Sequence, residues 1–256
     1  MASQTSHASL VNAQFSPGAA AYVNSPVHSQ GPDLERLSEL MRGRNNWRVL
    51  DLGCGGGHAA FAAAAHAGAV VAYDLSADML AAVSAEAAKR GLANITTRQG
   101  RVEALPFADG EFDAVITRYS AHHWLGFAAA LGEARRVVKP GGLGVFMDAV
   151  SPGDALLDTF VQSIELLRDP SHVRDYAIEE WHVALDRAGF VVTRTAPARI
   201  RLDFASWIAR IRTAPLHAQA IRSLQAVAPA EVAAHFAFEA DGSFMLDTAT
   251  IEATAR

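Results

Sequence analysis

The sequence predicts an α/β fold, a doubly wound parallel sheet with helices on both faces. Three observations carry this. Between Arg48 and Val150, short apolar runs alternate with amphipathic segments, the order that parallel strands and crossover helices require. The stretch VLDLGCGGGHAA, Val49 to Ala60, sets four glycines between an apolar run and an alanine-rich run. The chain has 256 residues, 50% hydrophobic and 19% charged, enough for one large α/β domain or two small ones. No linker divides two domains, so residues 31–256 read as one.

Each element follows in order. Residues 1–30 are rich in Ser, Ala, Asn, Gln and Pro and read as a tail, but Phe15, Tyr22, Val23 and Val27 are more apolar than a linker needs, and the spaced Phe15, Tyr22 and His28 suggest a lid over Phe15 to His28. Leu34, Leu37, Leu40 and Met41 give a helical period between Pro32 and Arg44. Arg48 to Leu52 is a buried strand, and His58 to Ala67 an alanine-rich helix. AVVAYD, Ala69 to Asp74, is the second strand. Ser76 caps a helix from Ala77 to Arg90 whose Met79, Leu80, Val83 and Ala87 share a face, and Gly91 stops it. Ile95 to Gln99 and Asp113 to Thr117 are the third and fourth strands. Phe127, Leu131, Ala134 and Val138 line a helix that KPGG, Lys139 to Gly142, ends before a fifth strand, LGVFMDAV. Helices then cover Ala155 to Leu167 and Ile178 to Ala188. Phe190 to Thr195 is a sixth strand, extended or returned by Ala198 to Leu202. A helical stretch from Phe204 to His235 breaks at Pro215 and Pro229. SFMLDTATIEATA is a last strand, expected at an edge of the sheet.

Charge and cysteine usage exclude some functions. The formal charge of −5, from 22 basic and 27 acidic residues, argues against broad binding to nucleic acid. Cys54 is the one cysteine, so no intramolecular disulfide forms, which fits a reducing compartment. MASQTSHASL has no long apolar core and no Lys or Arg precedes Arg36, unlike a secretory signal. No apolar run approaches the ~20 residues that span a bilayer. No membrane partner is expected, and the expected location is the cytoplasm.

The glycines suggest a ligand cradle. In an open α/β sheet, ligands bind beyond the carboxyl ends of the strands. Gly53 and Gly55 follow the first strand, can adopt positive φ and let a ligand lie against bare backbone; a tight turn without a ligand is the alternative on this stretch alone. Asp74 ends the second strand, where an acid binds ribose hydroxyls. A dinucleotide fingerprint would need glycine where His58 stands. Asp51 would also face a diphosphate with like charge. A cationic ligand with a ribose and no phosphate suits the loop better, and S-adenosylmethionine is such a ligand.

VLDLGCGGG, YDLSADML, EALPFADGEFDAV and RRVVKPGG, in this order and spacing, resemble a class I S-adenosylmethionine-dependent methyltransferase. More narrowly, the chain resembles the small-molecule group related to ubiquinone and menaquinone biosynthesis methyltransferases. The matching core is 48–148, leaving 151–256 for the acceptor side. The resemblance implies a Rossmann-like, seven-stranded sheet with an antiparallel last strand. It places Gly53 and Gly55, with Cys54 as a small loop residue, against the methionine part of the cofactor. Asp51 then organises the loop and the amino group, Asp74 takes both ribose hydroxyls, and Leu75 and Met79 flank the adenine. The chain departs from the family in GRVEALPF, where Arg101 stands in place of a frequent acid. Arginine has only donors, so the Val102 backbone, Glu103 or stacking must hold the adenine. The resemblance also implies that the N-terminal segment closes the site, with Tyr22 over the cofactor.

TRYSAHHW, Thr117 to Trp124, lies on the expected acceptor side. It lacks the [N/D]-P-P-[Y/F] segment of enzymes that methylate amides or exocyclic amines, and the chain has no doubled-glutamate hairpin. His122 and His123 suit proton removal from a hydroxyl. Some similar sugar O-methyltransferases carry such a pair with an aspartate at the end of strand five, where Asp148 stands. His123 is the preferred base; a structural role is the alternative for both histidines. Arg118 stands near the cofactor, to hold an acidic acceptor or only a backbone carbonyl. Trp181, Trp207 and Arg210 to Thr213 are helix packing or acceptor wall. No carboxylate cluster has metal-ligand spacing. The expected function is methyl transfer from S-adenosylmethionine to a small molecule, to oxygen in preference to carbon. The alternatives are an NAD(P)-dependent oxidoreductase and a non-catalytic S-adenosylmethionine-binding protein. The sequence leaves the oligomeric state open.

Overall fold

The computed structural model describes residues 6–19 and 30–256. Tyr22, Val23 and Val27 lie outside the described residues. The strands are β1 (Arg48–Leu52), β2 (Ala69–Asp74), β3 (Ile95–Gln99), β4 (Phe112–Arg118), β5 (Val138–Ala149), β6 (Phe190–Leu202) and β7 (Phe244–Ala255). They form one sheet in the order β3-β2-β1-β4-β5-β7-β6. The first five are parallel, and β7 runs antiparallel to both β5 and β6. The chain leaves β1 toward β2 and β3, then returns to the other side of β1 as β4. That reversal opens a crevice at the carboxyl ends of β1 and β4, where this class of sheet binds ligands.

Strand periodicity divides the core into two layers. Val49, Val70, Ala72, Ala114, Ile116 and Val145 face α2 (Pro32–Met41), α3 (His58–Ala64) and α4 (Ala77–Lys89). Leu50, Leu52, Val71, Val115 and Phe146 face α5 (Phe127–Val137) and α7 (Ile178–Ala188), which brings in Trp181. Parallel strands are buried on both faces, so they read as continuous apolar runs. A third apolar cluster joins α6 (Ala155–Arg168), α8 (Phe204–Arg210), α9 (Pro215–Ala226) and α10 (Ala230–Phe236) to the β6–β7 hairpin. The breaks expected at Pro215 and Pro229 separate these last three helices.

Three expectations need correction. The last strand is not an edge: β7 pairs on both sides, and β6, one strand from Phe190 to Leu202 with a register shift at Thr193, is the edge on that side. KPGG does not precede the fifth strand but interrupts it. Phe112 pairs with Val138 and Ala114 with Leu143, so Lys139 to Gly142 bulge out of the ladder. A Cβ on Gly142 would sit 2.8 Å from the Asp113 carbonyl, so only glycine fits that close approach. The tail reading also fails for residues 7–15, which form α1 (His7–Phe15), with the Ser6 hydroxyl accepting from the Ser9 N–H.

Candidate active site

Two cavities meet over the carboxyl ends of β1, β4 and β5. The smaller, 160 Å³, lies over β1 and β2. Asp51, Gly53, Cys54, Gly55, Asp74, Leu75 and Met79 line one side, and Arg101, Val102, Glu103 and Arg118 another. His7, Val11 and Phe15 of α1 cover it. Every expected cofactor residue within the described chain is therefore in this wall; Tyr22 lies outside the described residues. The larger cavity, 470 Å³, lies over β5, β6 and β7 and is lined by His122, Asp148, Asp175, Arg194, Trp207 and others. Phe15, Arg118, Tyr119 and His123 line both.

The glycine loop is built for close approach. Gly53 has φ +64, and a Cβ there would fall 1.8 Å from the Ser120 Oγ. Gly55 has φ +47, and a Cβ would meet nothing within 4 Å. The first glycine thus seats the loop on the Ser120 turn, and the second faces open space. The Asp74 carboxylate accepts from the Gly55 and Ser76 amides, both at 2.8 Å, which fixes its aim. Burial raises its pKa. Asp51 is 1% exposed, and neither carboxylate oxygen has a hydrogen-bond partner. Burial pushes its pKa up to about 7, and the charge of Asp74 adds to this. The Cys54 thiol is also pushed well above its ordinary value by burial, which argues against a reactive thiolate.

An unpartnered buried carboxylate beside a loop open at Gly55 fits a ligand with a cationic amino group and a slim chain, and Asp74 beyond it fits a ribose. S-adenosylmethionine has all three. Around the adenine end, Arg101 turns toward Glu103, with Nε 3.4 Å from Oε2, and its carbonyl accepts from the Tyr73 hydroxyl. This leaves the carboxylate of Glu103 in the wall as an acceptor that Arg101 itself cannot provide.

The histidine pair divides its roles. Tyr119 has φ +50, an uncommon conformation for a residue with a side chain. That turn folds Ser120 to His123 back over β5, where Asp148 gathers it. Asp148 Oδ2 accepts from the Ser120 and Ala121 amides at 3.2 and 2.7 Å, and Oδ1 accepts from His122 Nδ1 at 2.6 Å. Burial alone would lower the His122 pKa, but the Asp148 charge and hydrogen bond push it up to about 9. His123 instead bonds the Ser171 carbonyl through Nδ1 at 3.1 Å and packs edge-on against Phe15. Its Nε2 lies 3.9 Å from Asp169. Burial and the neighbouring His122 charge push its pKa down to about 4. Of the pair, Asp148 thus partners His122 and not His123, the preferred base.

Arg118 ion-pairs with Asp33 at 2.5 Å and stacks on the Tyr119 ring, tying α2 to the end of β4. Trp207 is buried and also lines the larger cavity, while Trp181 packs in the core on Phe127. Among the described residues no group of three metal-ligating side chains is arranged to hold a metal ion, and no helix is long and apolar enough to cross a membrane. Sequence reasoning missed Tyr119, Ser171 and Asp175. The run DPSHVRDY, Asp169 to Tyr176, is polar, aperiodic and between two helices, which was its available signal.

Comparison with known proteins agrees with this geometry. The model of the family described as methyltransferase domain matches residues 50–146. The uncharacterised protein YafE of Escherichia coli K12 is 48% identical over 77% of this chain and 95% of its own. The uncharacterised methyltransferase YcgJ of Bacillus subtilis is 34% identical over 77% of this chain and 78% of its own. The crystal structure of YcgJ superposes with a TM-score of 0.81 at 31% identity, over 88% of this chain and 98% of that one. A 2-phytyl-1,4-naphtoquinone methyltransferase from Synechocystis is 37% identical over 44% of this chain and 49% of its own. With its reversed sheet, glycine cradle and acidic strand ends, the chain belongs to the class I S-adenosylmethionine-dependent methyltransferases.

Proposed function

We propose that the protein methylates a hydroxyl oxygen of a small molecule held in the larger cavity, with His122 as the base. The observation that carries this is the 2.6 Å bond between His122 Nδ1 and Asp148. It commits Nδ1 as a donor, so that once the ring has given up its Nε2 proton the free lone pair is on Nε2, at the wall His122 forms. The base role expected of His123 thereby passes to His122, because both nitrogens of His123 face Ser171 and Asp169.

S-adenosylmethionine supplies an electrophilic methyl group on a positive sulfur. Asp51 takes its amino group, Asp74 the ribose hydroxyls, Gly53 and Gly55 give backbone contact, and Leu75, Met79, Val102 and Glu103 surround the adenine. Tyr119 and His123 stand between the cavities, and Phe15 covers that boundary, which excludes water from the place of transfer. His122 Nε2 takes the acceptor proton, and the Asp148 carboxylate stabilises the imidazolium that results. Orientation of the two reactants supplies most of the rate.

The second reading is C-methylation of a ring activated as its phenolate, favoured by the match to the naphtoquinone methyltransferase. The same base serves both. Incubating the protein with S-adenosylmethionine and hydroxylated small molecules, and following S-adenosylhomocysteine release, tests the proposal. Turnover that disappears in His122→Ala with cofactor affinity intact supports it. Turnover equal to wild type in that variant refutes it.

A further inference from the structure

Among the described residues, five buried side-chain polar atoms have no hydrogen-bond partner. Two belong to Asp51, in the cofactor cavity. Another is Oδ2 of Asp175, which is 1% exposed and lines the larger cavity. The backbone around Asp175 is held firmly. Its N–H donates to Gln162 Oε1 at 3.1 Å, and its carbonyl accepts from Gln162 Nε2 at 2.7 Å. The Val173 and Arg174 amides both donate to the His122 carbonyl, at 2.8 and 3.2 Å. The loop is thus pinned to the residue that carries the base, yet Oδ2 of its carboxyl is left without a partner. A buried polar group in that state costs about 1–3 kcal/mol, and such a group needs a reason.

We propose that Asp175 is a positioning residue for the methyl acceptor, taking a hydrogen bond from a second hydroxyl, so that the acceptor carries at least two hydroxyl groups. One hydroxyl meets His122 and reacts; the other meets Asp175 and sets the orientation. This rests on the larger cavity being the acceptor site.

The charges around the group favour a hydroxyl over an ammonium ion. Burial, with Glu165 and Asp148 nearby and against the opposing pull of His122 and Arg168, pushes the Asp175 pKa up to about 8. That upward shift favours the protonated carboxyl, which both donates and accepts, as a hydroxyl does. The cationic His122 on the same wall would repel an ammonium group.

The test compares catechol with phenol, which differ by the second hydroxyl, titrated into protein saturated with S-adenosylhomocysteine. Wild type is expected to bind catechol about tenfold more tightly, the ratio one good hydrogen bond supplies. Asp175→Leu should bring the ratio close to one and leave phenol affinity unchanged. Asp175→Asn, which keeps an acceptor oxygen, should retain most of the preference. Without ligand, Asp175→Leu should melt at a higher temperature, because an unpartnered buried carboxyl is gone. Equal affinities in wild type, binding of neither probe, or an unchanged ratio in Asp175→Leu overturns the proposal. So does a lower melting temperature in both variants, which would make the carboxyl a structural partner. Equal catechol turnover by wild type and Asp175→Leu overturns the anchor alone; catechol turnover that ignores His122→Ala is the separate failure of the reading beneath it.

Discussion

Replacing Asp51 with asparagine should make the ligand-free protein more stable and cofactor binding weaker. The carboxylate is buried at the end of β1 with both oxygens unpartnered. Burial moves its pKa from 3.8 to about 7 against the pull of the Ala60 backbone amide, with the charge of Asp74 adding a smaller push upward and Arg118 a smaller pull down. A folded-state pKa above the unfolded value means that the native state holds the extra proton between those two values. Stability therefore falls as pH rises through that window, and the full penalty is present above pH 7. At 1.36 kcal/mol per tenfold change in proton affinity, the upper bound is about 4 kcal/mol. An unpartnered amide keeps part of the burial cost, so a net gain of about 2 kcal/mol at pH 8 is expected, and little at pH 4. For a chain of this size that raises the melting temperature by roughly 4–8 °C.

Binding moves the other way. The amino group of S-adenosylmethionine favours the ionised carboxylate, so Asp51→Asn should lose about 2 kcal/mol of affinity. Wild type should also release protons on binding near pH 6.5, because the partly protonated Asp51 ionises in the complex. Thermal unfolding between pH 4 and 8 measures the first effect. Calorimetry in two buffers of different ionisation enthalpy measures the other two. A variant that melts lower at pH 8, or that binds the cofactor as tightly as wild type, refutes the reasoning.

Four further outcomes are expected. His122→Ala should lower turnover by about 100-fold or more with cofactor affinity unchanged; wild-type kcat/KM should rise with pH toward a plateau above about 9, where His122 has lost its proton, and Asp148→Asn should move that inflection down. Asp74→Ala should weaken S-adenosylmethionine binding by about 2 kcal/mol or more, read by calorimetry, as two charge-assisted hydrogen bonds are lost. Gly53→Ala should destabilise the fold by about 2 kcal/mol or more in denaturant unfolding, because its Cβ would collide with Ser120 in a left-handed backbone. Chymotrypsin should cut after Phe15 more slowly when cofactor is present. The helix before it is held by polar contacts, His7 to the Ser171 carbonyl and Arg212 to the Gln14 carbonyl, and buries no side chain fully. Trypsin cannot serve, since no Lys or Arg precedes Arg36.

Much of the fold was legible because its cues are local. Val49 to Leu52, apolar but for Asp51, and Val70 to Tyr73 are buried runs that a sheet covered on both faces explains, and Ser76 caps its helix as its residue type suggests. The place of β7 was not legible. Its threonines and Glu252 look like an edge, but Glu252 is covered by Arg36 and Arg194, reaching it from α2 and β6. That ion pairing spans more than 200 residues of sequence in one case, and no local pattern encodes it. At the site, the place of Gly53, Gly55 and Asp74 in one cavity wall was readable because they follow or end neighbouring parallel strands. The histidine pair was readable only as a pair. Which ring meets Asp148 depends on Tyr119 at positive φ, a conformation that tyrosine does not announce. Asp175 was silent because an aperiodic polar loop gives no period from which to infer a face.

The central claim is methyl transfer to oxygen under the control of His122. Its most direct test supplies S-adenosylmethionine labelled in the transferred methyl group together with catechol, and locates the label in the product by NMR. The account predicts a labelled methyl ether with wild type, and none above background with His122→Ala that still binds the cofactor. Label on a ring carbon, or a methyl ether formed equally by the variant, would contradict it.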